Sequence, residues 1–279
     1  MTHPFEHTLE LPSQVTWSVA VGEPWQQPLG LQHTPDVACA TASIGKTLLL
    51  VTVADLMVSG GLDPRRPVSR TTAEPVADSG LWQHLGTDRL TVADACVLVG
   101  SVSDNLATNV LIEVVGLDRV QQTAEQLGLS TTRLLDLVRD SRGPEHPPAL
   151  SVGTALELHR LCSELAAPRT LSVEVAHRVR SWLALGSDLS MVAGAFGLDP
   201  LAHTDADRGF SLWHKTGTNV GVRCDIGTVG RGARQLSWAV LANWEPDHDS
   251  DHTRDAVLSA MGQIGLRVRR ALEADDSCA

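Results

Sequence analysis

The segment Thr41-Ala42-Ser43-Ile44-Gly45-Lys46-Thr47 opens a helical run. From Ile44 to Val58 the apolar residues Leu48, Leu49, Val51 and Leu56 recur at helical spacing, and Gly60-Gly61 marks the stop. Residues i and i+3 of a helix share a face, so Ser43 and Lys46 present their polar ends together. A serine hydroxyl is a poor nucleophile until a neighbouring base accepts its proton. A lysine serves as that base only when burial and nearby positive charge hold it neutral near pH 7. A serine in the first helical turn also has backbone N–H groups and the positive end of the helix dipole beside a developing oxyanion. Two other readings fit the same residues. One is a solvated lysine one turn from a serine. The other is the end of a P-loop, with Ala40 in place of its first glycine, Lys46 on phosphates and Thr47 on magnesium. That reading requires a parallel βαβ frame, which the long helical middle of the chain does not offer.

Composition singles out the same lysine. Among 279 residues tyrosine is absent, and lysine occurs only at positions 46 and 215, arginine supplying every other basic side chain. A lysine can lose its proton when its surroundings disfavour the charge, and an arginine cannot. Lys215 lies in Trp213-His214-Lys215-Thr216-Gly217-Thr218, at the end of an expected strand. Between two expected helices stands Ser103-Asp104-Asn105. Taken singly, the first is an ordinary strand terminus and the second an ordinary helix cap.

Taken in order, S-x-x-K at Ser43–Lys46, S-D-N at Ser103–Asn105 and K-T-G at Lys215–Gly217 resemble the three signature boxes of class A β-lactamases and related penicillin-binding proteins. The two serines stand 60 residues apart, a spacing similar to that of class A. Class C enzymes place a tyrosine in the middle box, and this chain has none. The resemblance extends over about residues 15–272. It implies an α+β, β-lactamase/transpeptidase-like fold, with an antiparallel sheet flanked by helices and an inserted all-helical lobe. The activity it implies is a serine acyl hydrolase that opens β-lactam amides. Slower relatives of the same type, a penicillin-binding sensor, a carboxypeptidase or an esterase, use the same boxes. Ser43 is then the acylated nucleophile and Lys46 its proton acceptor. Ser103 relays a proton to the departing nitrogen. Lys215 tunes that relay and attracts the substrate carboxylate. Asn105 holds the substrate's side-chain amide and steadies Lys46. Thr216, Gly217 and Thr218 contact the substrate's acid group, with the backbone N–H groups of Ser43 and Thr218 as the oxyanion hole, and Arg223 is a further partner for that carboxylate.

The resemblance fails first in one loop. Class A enzymes carry an E-P-x-x-N loop whose glutamate activates the deacylating water. Here Arg133 to Pro148 is shorter and lacks that motif, and Asp136, Asp140 and Glu145 are the carboxylates within reach. Deacylation is therefore expected to be slow or absent. The frequent helix-to-helix disulfide of the family is unavailable, because Cys96 would face Leu50.

Strands are expected at 15–21, about 28–33, 211–213, 225–229 and 236–244. Helices are expected from Thr91 to Gly100, from about Asn105 to Gly116, at 118–127, 151–165, 172–185 and 253–272, with loops over 63–80 and 139–149. The ends of the chain are thus strand-bearing and the middle helical. Two lobes follow: a mixed one from residues 1–45 and 195–279, and a helical one from 46–194, forming one β-lactamase-like unit.

A net charge of −11 disfavours a nucleic-acid or anionic membrane partner, and a small β-lactam or acyl compound is the expected one. No run of the sequence is long and apolar enough to span a membrane, and Met1–His7, with neither a basic nor an apolar stretch, is not expected to be a secretory signal. The expected location is the cytoplasm, or the periplasm or exterior if the chain is a mature form. A monomer is favoured. Five cysteines without a C-x-x-C pair suggest buried thiols, and Asp247-His248-Asp249-Ser250-Asp251-His252 reads as a cap and turn rather than a metal site. No cofactor is implied.

Overall fold

The computed structural model describes residues 9–27, 29–203, 205–206, 208–246 and 250–274. The chain begins with strands β1 (Thr16–Gly22), β2 (Leu31–His33) and β3 (Cys39–Ala40), then helix α1 (Lys46–Val58). A hairpin of β4 (Pro67–Ser69) and β5 (Arg89–Thr91) leads into α2 (Val92–Val102), α3 (Asn105–Val115) and α4 (Leu117–Gln126). Short strands β6 (Arg133–Leu134) and β7 (Ser151–Gly153) precede α5 (Ala155–Ala166) and α6 (Val173–Leu183). The chain closes with β8 (Ser211–Asn219), β9 (Val222–Arg231), β10 (Arg234–Asn243) and α7 (Ser250–Glu273).

The main sheet runs β2-β1-β10-β9-β8, and every neighbouring pair in it is antiparallel. The parallel frame that a P-loop needs is therefore absent from it. The first and last segments of the chain meet in the register Thr16–Asn243, so the sheet closes only when both ends have arrived.

Both faces of the sheet are covered, which is why its strands read as nearly continuous apolar runs. Along β10, Leu236, Trp238, Val240 and Ala242 face a core completed by Met261, Ile264 and Val268 of α7. The intervening Ala239 and Leu241 face the other core, which α1 to α6 complete. That second core is built on α1, whose Leu48 to Val51 are all buried. A helix apolar on every side is the centre of its lobe rather than a surface element.

Three expectations need correction. The helix expected from Ile44 starts as a 3-10 turn, Ala42–Gly45, and becomes α-helical at Lys46. The loop expected over 63–80 contains β4, which pairs with β5. The helix expected from 151 starts at Ala155, because Ser151–Gly153 pairs with both β3 and β6. In each case a pairing or turn of two to four residues is too short to show a period. The four described cysteines are buried and free, while Cys278 and Asp247-His248-Asp249 lie outside the described residues.

Candidate active site

The turn that carries Ser43 is fixed from below by β7. The Ser151 carbonyl accepts from Thr41 N at 3.0 Å, and Ser151 Oγ donates to the Ala42 carbonyl at 2.6 Å. Ala42 takes a φ of 47°, a conformation that costs a side-chain-bearing residue energy unless its surroundings impose it. The result is that Ser43 stands half-buried at the mouth of a cavity of about 880 Å³.

Beneath that turn Lys46 is wholly buried. Its Nζ donates to the Ser103 carbonyl at 2.6 Å, to Asn105 Oδ1 at 2.7 Å and to Ser103 Oγ at 3.2 Å. Burial drives its ammonium well below the usual lysine value; the Lys215 charge adds to this, and Asp104 and Asp78 oppose it. Ser103 closes α2 in the left-handed region, φ 58°, which turns both its carbonyl and its hydroxyl toward Lys46. The cap expected of Asp104 is present: Oδ1 accepts from Ala107 N at 2.8 Å, and Oδ2 accepts from Leu81 N and Trp82 N. Asn105 Nδ2 donates to the Ala77 carbonyl, so the middle box is tied to the loop before α2.

The opposite wall is β8, an edge strand of the main sheet. Lys215 is buried, with Nζ on the Thr216 carbonyl at 2.8 Å. Burial brings its ammonium down to about 8, against the pull of Asp188 and Asp225. Gly217 does not line the cavity; a β-carbon there would overlap the Thr41 carbonyl oxygen and crowd Ile44. Its hydrogen therefore lets β8 lie directly against the Ser43 turn. Thr216 and Thr218, on either side of it, do line the cavity.

Arg223 is not among the lining residues. Its Nη1 donates to the Asn219 and Val222 carbonyls, both at 2.8 Å, and its guanidinium lies 6.0 Å from the Trp244 ring centre. The turn it braces is the one joining β8 to β9.

The segment after β6 separates the three candidate water bases. Asp136 turns away from the cavity into a fork of Arg139 and Arg142, at 2.8 and 2.6 Å. Burial alone would raise its carboxyl, but those two arginines hold it below the ordinary range. Glu145 is exposed and pairs with His146. Asp140 alone of the three lines the cavity, and both its oxygens are engaged by Ala77 N, at 3.0 and 3.2 Å. Nearer the middle box, Asn109 clasps the backbone of Val138, accepting its N–H at 2.8 Å and donating to its carbonyl at 2.9 Å. The side chain held there is a valine, which cannot activate water.

The cavity thus gathers Ser43, Ser103, Asn105, Lys215, Thr216 and Thr218, with Lys46 buried behind them. It also holds Asp78, Asp188 and His214, which the sequence did not single out. Lone acids in loops carry no spacing signal. Asn109 does, standing one helical turn after Asn105 on the same face.

Residues 11–271 match the Beta-lactamase enzyme family, and the chain belongs to it. It is a serine β-lactamase-like hydrolase with the β-lactamase/transpeptidase fold. Among solved structures it is similar to a β-lactamase from Sphaerobacter thermophilus, at 24% identity over 93% of this chain and 92% of that one, TM-score 0.78. It is also similar to PBP-A, at 18% identity over 95% and 93%, TM-score 0.77. A β-lactamase from Xanthomonas campestris aligns at 16% identity over 92% and 91%, TM-score 0.75. No curated protein sequence matches the chain. Among the described residues no helix is long and apolar enough to cross a membrane.

Proposed function

We propose that this protein opens β-lactam amides through an acyl-enzyme on Ser43 and releases the product slowly. The observation that carries this is the environment of Lys46: an amine wholly buried, depressed in proton affinity and hydrogen-bonded to Ser103 and Asn105. In the neutral amine two N–H bonds serve the Ser103 carbonyl and Asn105 Oδ1. The lone pair then takes the Ser43 proton, directly or through a water, as Ser43 Oγ bonds to the lactam carbonyl carbon. The oxyanion that forms is held by the backbone N–H groups of Ser43 and Thr218, each such donor contributing ~3–4 kcal/mol to the transition state. Collapse breaks the C–N bond. The Lys46 ammonium returns its proton to Ser103 Oγ, whose own proton goes to the departing nitrogen. Lys215 stabilises that relay by its charge, while Asn105 and Thr216 orient the substrate. The product ester then waits, since the side chain that Asn109 fixes at the cavity wall is Val138, which supplies no base.

Incubation with a chromogenic cephalosporin and with a penicillin, followed by colour and intact mass, tests the proposal. The expected outcome is a rapid one-to-one adduct with slow turnover. Ser43→Ala and Lys46→Ala should each abolish the adduct, because nucleophile and base act as one unit. An adduct that persists in Ser43→Ala would overturn the assignment.

A further inference from the structure

The corner of the cavity that would take a substrate carboxylate already contains one. Asp188, in the segment after α6, lines the same cavity as Lys215, Thr216 and Thr218. Its Oδ1 is fixed by the Ser190 hydroxyl at 2.6 Å and by Ser190 N at 3.2 Å. The preceding residue is anchored to the last turn of α2, Ser187 N donating to the Ser101 carbonyl at 3.1 Å. Asp188 is exposed at the cavity rim; against the partial desolvation of its carboxyl, the Ser190 and Thr216 hydroxyls, the Ser190 N–H and the field of His214 hold it below the ordinary carboxylate value. Its charge is felt by both cations of this corner, Lys215 and Arg223. Arg223, meanwhile, spends its guanidinium on backbone carbonyls of its own turn. Of these two cations only Lys215 lines the cavity, and the fixed anion Asp188 lines it too; Arg139 and Arg142, the other cations of the lining, are committed to Asp136.

We propose that Asp188 is a specificity-determining residue, a built-in anion that discriminates against carboxylate-bearing substrates and favours neutral acyl esters or amides at this end of the site. This rests on the assignment of the cavity as the acyl-transfer site. Like charges brought together at a recognition surface are repelled, and removing one relieves the other. The geometry accordingly makes the chain a better acceptor of uncharged acyl donors than its lysine and threonines alone suggest.

The test compares benzylpenicillin with its uncharged methyl ester on wild type, Asp188→Asn and Asp188→Ala, reading the second-order rate of adduct formation by intact mass. In parallel, equilibrium binding of both compounds is measured by calorimetry in the Ser43→Ala background, with and without Asp188→Asn. Removing the charge should raise the acid-to-ester ratio about tenfold in both measurements. The gain should narrow in high salt. A ratio unchanged or lowered in both variants overturns the role of Asp188, as does failure of both compounds to bind. Absence of any Ser43-dependent adduct together with a raised binding ratio would instead overturn the acylation mechanism and leave Asp188 as the selector.

Discussion

At the scale of single residues, the two lysines divide one requirement of the proposed mechanism between them: a neutral amine buried behind the Ser43 turn and a cationic one on the opposite wall of the cavity. Both are buried, and burial penalises the charged form of each. Lys46 is pushed further because the Lys215 charge faces it, whereas Asp188 and Asp225 support Lys215. The signs then fix the pH profile of acylation. On the acid side the rate rises as Lys46 loses its proton. On the alkaline side it falls as pH passes through about 8, where Lys215 loses its own. Lys215→Arg separates the limbs, since a guanidinium does not deprotonate in this range. The variant should lose the fall near pH 8 and keep the acid limb, whatever its absolute rate. A stopped-flow profile of adduct formation from pH 5 to 10 checks this. An alkaline fall that survives unchanged in Lys215→Arg would exclude Lys215 as its source.

At the scale of elements, the site is an agreement between short segments that the sequence shows only in part. The helices α1, α2 and α3 were legible as apolar runs with turn or cap signals at their ends, and β8 only by its start at 211–213; the strand continues to Asn219, so the Lys215–Gly217 box lies inside it rather than at its end. The pieces that adjust the site were not. The Ser43 turn depends on β7, three residues with no period of their own. Asp136 looked like a candidate base and proves to be the anchor of a two-arginine fork, a role decided by side chains that converge only after folding. Gly217 looked like a contact residue, and the structure gives it a different task, letting β8 approach the nucleophile turn. The segment from 133 to 150 is where the proposed slow release originates: Asn109 clasps the Val138 backbone at the cavity wall, and the side chain there is inert. Val138→Glu leaves both clasp bonds possible and puts a carboxylate into the cavity. A positioned general base typically contributes ~100-fold or more. The adduct of Val138→Glu with benzylpenicillin should therefore decay ~100-fold faster than that of wild type, measured by intact mass after excess ligand is removed. An unchanged lifetime would mean that release is limited elsewhere.

At the scale of the whole molecule, one sheet is the common wall of two apolar cores, and its strands supply alternate side chains to each. Neither core can form without the sheet, and the sheet needs both ends of the chain, since β1 pairs with β10 across seven residue pairs. The candidate catalytic groups stand on the helical side, while α7 packs on the far face. Damage under α7 should therefore be felt by the site only through global unfolding. Ile264 is fully buried there. Truncating such a side chain costs about 2–5 kcal/mol, through lost transfer free energy and the cavity left behind. Ile264→Ala should lower the urea midpoint accordingly and keep a single transition. Below that transition the rate of adduct formation should remain within about threefold of wild type, because the Ser43 turn is braced by β7 and β8 and not by α7. Two resolved transitions, with loss of α7 packing preceding loss of acylation, would show that the cores fold independently and that the shared sheet does not couple them.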